Sequence, residues 1–254
     1  MINATDICHS LPFLDGVDIV IRPGEVSGII GPNGAGKTTL LKMLAGLIKP
    51  ASGNIEIDNM PLFDISGSQR AIRIAYLEQH SFVHWPLSVR QLIELGRFVH
   101  RHNPNNSPAV DKQVVDNVIE QVGLNDLVDR QFNTLSGGER ARVIIARALS
   151  VQAFYLLVDE PIASLDLNFQ LEVMNLLSQQ ATNNMAVCVI LHDLNLAAAY
   201  CDNLYLLDQG KLIRHGTVEQ VITPDIIKST FGINANVSKR QGQIEITPVF
   251  SRLK

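Results

Sequence analysis

Cysteine is scarce in this chain of 254 residues, which contains three. Cys8, Cys188 and Cys201 lie far apart in the sequence, so no pair has the spacing of a metal-binding motif. Their odd number argues against a disulfide framework. We therefore expect these side chains to be small apolar fillers of the interior in a protein of a reducing compartment.

Positive charge and long apolar runs are also lacking. The 21 Lys and Arg residues are outnumbered by 25 Asp and Glu residues, which gives a net charge of −4. A nucleic-acid-binding domain would show clustered basic residues, so the charge balance does not suggest this class. The apolar runs are far shorter than the ~20 residues needed to span a bilayer. Residues 1–6 lack the basic-then-apolar pattern of a signal peptide. We expect a cytosolic protein, which can still dock on a membrane protein.

The most informative segment is 31–39, which reads Gly-Pro-Asn-Gly-Ala-Gly-Lys-Thr-Thr. It has the P-loop pattern and lies between an apolar run that predicts a strand and one that predicts a helix. Its glycines allow backbone N–H groups to turn inward as an anion nest at the positive end of that helix. Lys37 would contact the β- and γ-phosphates, and Thr38 would ligate Mg²⁺. A glycine-rich turn before a buried helix is the alternative, but it leaves both of these side chains unexplained. The residues predicted to bind nucleotide here are Gly31, Pro32, Asn33, Gly34, Ala35, Gly36, Lys37, Thr38 and Thr39.

Polar side chains follow three other predicted strands at the point where each strand ends. Asp159 and Glu160 follow one apolar run, His192 follows the next, and Gln79 follows an earlier strand. The carboxyl ends of parallel strands meet at one edge of a sheet. We therefore expect all four side chains to lie beside the P-loop.

Each of these residue types suits a role in phosphoryl transfer to water. Asp159 can hold Mg²⁺ through its water shell, and Glu160 can orient or partly deprotonate an attacking water. A neutral His192 can hydrogen-bond the γ-phosphate and that water, while the amide oxygen of Gln79 can ligate Mg²⁺. A surface acidic pair and a structural histidine are the alternatives, and the shared sheet edge argues against both. The predicted catalytic residues are Glu160, His192, Gln79 and Lys37, and the predicted metal ligands are Thr38, Gln79 and Asp159.

Strands and helices alternate at both ends of the chain, whereas its middle is helical. Weak alternation over 2–22 predicts two half-buried strands. Residues 87–150 have helical periodicity, and strand–helix alternation resumes over 151–232. Weak strands follow around Gln241 and Gly242. This order predicts an α/β protein with a mostly parallel sheet.

A second glycine-rich segment, Ser136-Gly137-Gly138, opens a predicted helix. Its backbone N–H groups could form another anion nest. Two nests for one nucleotide would be redundant within one subunit, so this segment could complete the P-loop site of a second copy. An ordinary glycine-rich N-cap is the alternative.

With these motifs in this order, the chain resembles the ATP-binding subunit of an ABC (ATP-binding cassette) transporter. The resemblance covers residues 1–232. Its six motifs are the P-loop at 31–39, the Q-loop glutamine Gln79, the signature Leu135 to Glu139, the acidic pair Asp159 and Glu160, the D-loop ending in Leu165-Asp166, and the switch histidine His192. Each motif is moderately specific alone, and the ordered set is very specific.

The resemblance implies a fold and its division. The fold would be a P-loop NTPase core with a mostly parallel sheet, an N-terminal antiparallel β subdomain and a helical subdomain. The chain would form a single ABC ATPase domain, with its core at 1–86 and 151–232. The helical subdomain would lie at about 87–150, and a C-terminal extension at 233–254.

The resemblance also implies an ATPase that uses ATP and Mg²⁺ as a homodimer. Each ATP would lie between the P-loop of one subunit and Ser136, Gly137 and Gly138 of the other, with Asp166 near the nucleotide. Ordering by the γ-phosphate would make the dimer a switch. The expected location is the cytoplasmic face of the inner membrane.

The expected partners are integral membrane permease subunits and, indirectly, a periplasmic or extracellular binding protein. Motion would reach the permease through the surface around Gln79. Four apolar residues are candidates to line that surface, or are ordinary core: Phe82, Val83, Trp85 and Leu87.

Within the family, the chain is most similar to ATPases of importers for iron–siderophores, haem and cobalamin. The segments that suggest this are 31–37, 94–97 with His100, 191–197, and Gly216-Thr217 followed by Thr223-Pro224. The chain departs from the family in three places. Cys8-His9 occupies the region where the family often has an aromatic residue that stacks on adenine, and Phe13 is the nearby ring. Ala163 replaces a serine that is usual in the D-loop. Val99 replaces a proline that is usual in the importer subgroup. We therefore expect loose base selectivity and the loss of one hydrogen bond across the dimer.

Three other functions are weighed against this interpretation. The chain could serve an importer of metal ions or molybdate. A non-transport ABC protein acting on ribosomes or DNA would generally show a second cassette, a coiled-coil insertion or a basic extension. A non-hydrolysing module is disfavoured because Lys37, Asp159, Glu160 and His192 are intact.

Overall fold

The computed structural model describes residues 1–10, 13–79, 85–101, 106–163 and 165–249. The strands are β1 Ile2–Ser10, β2 Phe13–Ile21, β3 Val26–Ile30, β4 Ser52–Ile57, β5 Met60–Pro61, β6 Ile74–Leu77, β7 Tyr155–Asp159, β8 Ala186–Ile190, β9 Asn203–Asp208, β10 Lys211–Thr217, β11 Ala235–Arg240 and β12 Gln243–Pro248. The helices are α1 Lys37–Leu44, α2 Gly67–Arg73, α3 Val89–Glu94, α4 Pro108–Gln121, α5 Gly137–Ser150, α6 Leu167–Thr182, α7 Leu194–Tyr200, α8 Val218–Val221 and α9 Pro224–Phe231, with a short 3-10 helix Leu95–His100 directly after α3.

The central sheet has six strands in the order β10-β9-β3-β8-β7-β6. Five of them run parallel, and β10 pairs antiparallel with β9 at one edge. The predicted mostly parallel sheet is therefore confirmed. Its strands β3, β7 and β8 are buried along their whole length, as their continuous apolar runs predict.

Apolar layers cover both faces of this sheet. Alternate residues of a strand point to opposite faces. In β7, Leu156 and Val158 join a cluster with residues of α5 and α6, whereas Tyr155 and Leu157 join a second cluster with residues of α1, β1 and β2. The sheet is thus packed between two apolar cores, which fix the positions of the carboxyl ends of its strands relative to one another.

The predicted N-terminal antiparallel β subdomain is also present. A second sheet has the order β2-β1-β4-β5, and all of its pairs are antiparallel. The predicted helical middle contains α3, α4 and α5. The division of the chain into functional subdomains remains a prediction.

One of the four segments that suggested the importer subgroup, 94–97 with His100, has a structural role in this helical part. Arg97, which is 5% exposed, donates hydrogen bonds to the carbonyl oxygen of Ser150 and to Asp111. A ring nitrogen of the buried His100 contacts the carbonyl oxygen of Val151 at 2.8 Å. Cationic and N–H donors at these positions satisfy the last carbonyl groups of α5. The segment therefore anchors the C-terminal end of that helix.

The prediction for the cysteines is confirmed at two positions. Cys188 and Cys201 are buried, Cys8 is half-buried, and all three are free thiols. Burial raises the pKa of Cys201 to about 12, so its thiol stays protonated. Over the described ranges, none of the helices combines the length and hydrophobicity needed to cross a membrane.

Candidate active site

Four strands deliver polar groups to the carboxyl edge of the central sheet. The P-loop follows β3, Asp159 and Glu160 follow the apolar part of β7, His192 follows β8, and Gln79 follows β6. Because β3, β8, β7 and β6 are neighbours and parallel, these groups share one edge. The structure brings together the side chains that the sequence predicted to meet.

The P-loop connects β3 to α1, which begins at Lys37. Gly36 caps this helix with φ +94°, and Gly31 has φ +146° beside the carbonyl oxygen of Leu207, with which any Cβ would collide. Lys37 is 6% exposed, and its Nζ donates to the carbonyl oxygens of Gly31 and Pro32 at 2.8 and 2.9 Å. Burial lowers the pKa of Lys37, against the opposing charges of Glu160 and Asp159. The loop thus holds the Lys37 cation in place with its own carbonyl oxygens.

Thr38 and Asp159 form an oxygen-rich pair at the start of α1. Thr38 Oγ1 donates to Asp159 Oδ1 at 3.2 Å, and the hydroxyl of Tyr76 donates to Oδ2 at 3.4 Å. Asp159 is 2% exposed, and burial raises its pKa, with the nearby charge of Glu160 acting in the same direction. A hydroxyl and a carboxylate oxygen are ligands that Mg²⁺ accepts together with phosphate oxygens. These two residues therefore fit the metal that the sequence predicts.

Glu160 lies between Gln79 and His192. Its Oε2 accepts a hydrogen bond from the side-chain amide of Gln79, and its Oε1 contacts His192 Nε2 at 2.5 Å. Glu160 itself has φ +48°, an unusual conformation for a residue with a side chain that costs about 1–2 kcal/mol. This backbone conformation directly after β7 turns the carboxylate toward the ends of the neighbouring strands β6 and β8. Gln79 contacts Glu160 here, and its role as a metal ligand remains a prediction.

The segment Ser136 to Gly138 forms the start of α5. Ser136 is the N-cap and forms a reciprocal capping box with Glu139. Gly138 lies against the ring of Phe169, so closely that a Cβ would overlap the ring. Asp166 caps α6 by accepting from the N–H of Phe169 at 3.1 Å. Among the described residues, no hydrogen bond joins this segment to the P-loop of the same chain. Its proposed contact with nucleotide, and that of Asp166, remain predictions.

The apolar residues predicted near Gln79 have different environments. Trp85 is 75% exposed, whereas Leu87 is half-buried and packs against the larger core cluster. Phe82 and Val83 lie outside the described residues. Of the two described members of this set, Trp85 is the one whose side chain is exposed and available for contact with a partner.

The sequence analysis did not predict a role for three side chains near the site. Tyr76 holds Asp159, Phe169 lies under Gly138, and Asn195 binds the C-terminal strand β12. Tyr76 could have been found, because it carries the only polar atom in the side chains of β6. The other two contacts join segments that no local pattern relates.

Comparison with known proteins points to one family. Residues 14–163 match the family described as ABC transporter. Over 242 residues the chain is 38% identical to the cobalamin import ATP-binding protein BtuD of Halobacterium salinarum, covering 94% of this chain and 60% of that protein. It is likewise 38% identical over 246 residues to the hemin import ATP-binding protein HmuV of Bordetella pertussis, covering 92% of each. The chain thus spans about three fifths of the first relative and nearly all of the second.

Solved structures share the fold. A metal-chelate type ABC transporter in an inward-facing conformation matches with a TM-score of 0.83 at 24% identity, covering 98% of this chain and 97% of that chain. A dimeric bacterial ABC transporter cassette matches with a TM-score of 0.74 at 27% identity, covering 86% of this chain and 99% of that one.

Proposed function

Because this chain belongs to the ABC transporter family, we propose that it is the ATP-hydrolysing subunit of an importer. In this role it couples ATP binding and hydrolysis to uptake of an iron–siderophore, haem or cobalamin through a separate membrane permease. The observation that carries the proposal is the shared sheet edge, where the P-loop, Asp159, Glu160 and His192 meet. The family membership confirms the resemblance found in the sequence.

The residues at this edge divide the work of hydrolysis. Lys37 and the backbone amides of the P-loop bind the β- and γ-phosphates. Glu160 accepts a hydrogen bond from the attacking water and orients it, while His192 holds Glu160 in place. Thr38 and Asp159 would hold Mg²⁺, which when bound supplies positive charge beside the phosphate oxygens. Catalysis then rests mainly on positioning and charge neutralisation.

The proposed active unit is a homodimer. Each ATP lies between the P-loop of one subunit and Ser136 to Gly138 of the other, with Asp166 close to the nucleotide. Support comes from the exposure of Ser136 and Gly137 at the start of α5 and from the relative whose cassette is described as dimeric. The proposed core, helical subdomain and C-terminal extension keep the bounds given above.

The proposed partner is an integral membrane permease, and the proposed location is the cytoplasmic face of the inner membrane. A binding protein on the other side would act only through the permease. The exposed ring of Trp85, six residues beyond Gln79, supports a docking surface next to the active site. The names of the relatives favour haem or cobalamin over metal ions or molybdate as cargo.

The experiment measures ATPase activity of the purified chain, alone and reconstituted with the permease encoded beside it. Binding proteins loaded with a siderophore, haem or cobalamin complex are then added one at a time. We expect stimulation by the permease and by one loaded binding protein. An activity that neither the permease nor any of these complexes changes would contradict the importer function.

A further inference from the structure

The last two strands form a small hairpin that rests on α7. Strand β11 pairs with β12 in antiparallel register, and Gln241 and Gly242 form the turn with φ +51° and +85°. This is the left-handed conformation that a tight two-residue hairpin turn requires. An isolated two-stranded hairpin is only marginally stable in water, so its contacts with the rest of the chain hold it in place.

A side chain of α7 makes a polar contact with this hairpin, which is also joined to α8 by the exposed ion pair of Lys239 with Glu219. Asn195 Nδ2 donates to the carbonyl oxygen of Ile246 at 3.1 Å, and the N–H of Ile246 donates to Asn195 Oδ1 at 2.8 Å. The amide therefore satisfies both backbone groups of one residue on the outer edge of β12, as a neighbouring strand would. Ile246 itself is 5% exposed and belongs to the core cluster that includes Leu196 and Ala197 of α7.

Asn195 belongs to the first turn of α7, and this helix begins two residues after His192. Asp193 is the N-cap, and its Oδ1 accepts from the N–H groups of Asn195 and Leu196 at 2.8 and 3.0 Å. Asn195, whose side chain binds β12, is thus only three positions after His192, whose side chain contacts Glu160. The exposed His192 ring has one described hydrogen bond, the contact with Glu160. Its position therefore depends on the backbone at the start of α7.

We propose that the C-terminal hairpin positions His192 through the Asn195–Ile246 contact. Asn195 is a positioning residue, because it acts through the first turn of α7 and not on the nucleotide. The catalytic consequence of this inference rests on the proposed function, whereas its structural consequence does not.

The test compares two substitutions in the same helix of the full chain. Asn195→Ala removes both hydrogen bonds to Ile246. Tyr200→Phe removes the single hydrogen bond from the Tyr200 hydroxyl to Asn175 Oδ1, 3.0 Å long, at the opposite end of α7. The second variant is the matched control for loss of a polar contact on this helix. Thermal unfolding of both variants checks that each is folded.

The first readout is the ring signal of His192 in the NMR spectrum, assigned by its disappearance in His192→Ala. We expect Asn195→Ala to displace this signal and Tyr200→Phe to leave it unchanged. An unmoved His192 signal in folded Asn195→Ala would overturn the inference whether or not the chain hydrolyses ATP.

The second readout is ATPase kinetics. We expect Asn195→Ala to lower kcat about tenfold with the KM for ATP changed less than twofold, since ground-state binding is untouched. In a His192→Ala background the same substitution should have no further effect. A full additional loss in that background would show that Asn195 acts independently of His192. Absence of hydrolysis in the parent chain would refute the proposed function, and the NMR readout would still decide the positioning role.

Discussion

Oε1 of Glu160 lies 2.5 Å from Nε2 of His192, and these two residues follow the apolar parts of two adjacent parallel strands. Because a carboxylate oxygen accepts hydrogen bonds, the ring nitrogen in this contact is the donor. Gln79 donates to the other oxygen of the same carboxylate. A carboxylate has about four lone-pair sites, so two remain to accept a water molecule. Glu160 is thus oriented by its neighbours and keeps acceptor sites for the water that we propose it orients.

The first prediction concerns the carboxylate itself. Glu160→Gln keeps the size of the side chain and removes its ability to accept a proton. We expect kcat for ATP hydrolysis to fall by about 10²–10⁴-fold, with ATP binding retained and an ATP-bound dimer accumulating. Phosphate release and size-exclusion chromatography with ATP measure the two effects. Glu120→Gln, on the exposed face of α4, is the control and should behave as the parent. Normal turnover in Glu160→Gln would refute the assigned role.

The second prediction concerns the P-loop cation. Lys37 Nζ is held by two backbone carbonyl oxygens of the same loop, so the charge is in place before phosphate arrives. Loss of charge-assisted hydrogen bonds worth ~1.5–3 kcal/mol should weaken ATP binding about 10–100-fold in Lys37→Ala. Titration with a fluorescent ATP analogue measures the affinity. Lys49→Ala, an exposed residue after α1, should leave it unchanged. Equal affinities of Lys37→Ala and the parent would rule out the phosphate cradle.

The meeting of the strand ends could be predicted from sequence because it follows from one rule. Apolar runs ending in polar residues, alternating with helices, specify a parallel sheet, and its carboxyl edge collects those residues. The contacts that hold the surrounding elements in place could not be predicted in the same way. Asn195 and Ile246 are 51 residues apart, and nothing in either segment specifies the other. The segment containing Arg97 and His100 is one of the four that suggested the importer subgroup, and its role in anchoring α5 was not predicted.

The third prediction concerns the base of the nucleotide. Phe13 is 54% exposed and lines a cavity of about 690 Å³ with Gly34 of the P-loop and the turn between β9 and β10. Stacking on one ring favours any base, because every base has a π face. We expect ATP and GTP to bind within tenfold of each other, and Phe13→Ala to weaken both alike. Phe98→Ala, an exposed ring outside this cavity, is the control. A hundredfold preference for ATP would show that another residue reads the base.

The fourth prediction concerns the exposed indole beyond Gln79. A tryptophan at the centre of an interface typically contributes 2 kcal/mol or more, which corresponds to a ~30-fold change in affinity. Trp85→Ala should therefore weaken binding to the permease about 30-fold and leave the ATPase activity of the isolated chain unchanged. Phe154→Ala is the control, because Phe154 is also exposed but precedes β7, at the opposite edge of the sheet. Equal permease affinity of the two variants would move the docking surface elsewhere.

The fifth prediction concerns the buried guanidinium that anchors α5. Arg97 Nε donates to Asp111 Oδ1 at 2.7 Å, and its NH1 donates to the carbonyl oxygen of Ser150 at 2.7 Å and to Gln152. Replacing the guanidinium leaves the carbonyl oxygen of Ser150 without this donor and Asp111 without its cation. Arg97→Ala should therefore lower the free energy of unfolding by ~1.5–3 kcal/mol in a urea titration. Lys112→Ala, an exposed cation on α4 next to Asp111, should change it by less than ~0.5 kcal/mol.

The same pair makes part of this stability depend on pH. Burial alone would raise the pKa of Asp111, but hydrogen bonds from Arg97 and Asn106 prevail and hold it below its ordinary value. A carboxyl group with a lower pKa in the folded state stabilises the protein above its unfolded value of ~3.9, and this contribution is lost as the pH falls through the folded value. The difference in stability between the parent and Arg97→Ala should therefore be constant from pH 5 to 7 and shrink below about pH 4. A difference that stayed constant down to pH 2.5 would assign the effect of Arg97 to its bonds with Ser150 and Gln152, and not to the Asp111 carboxylate.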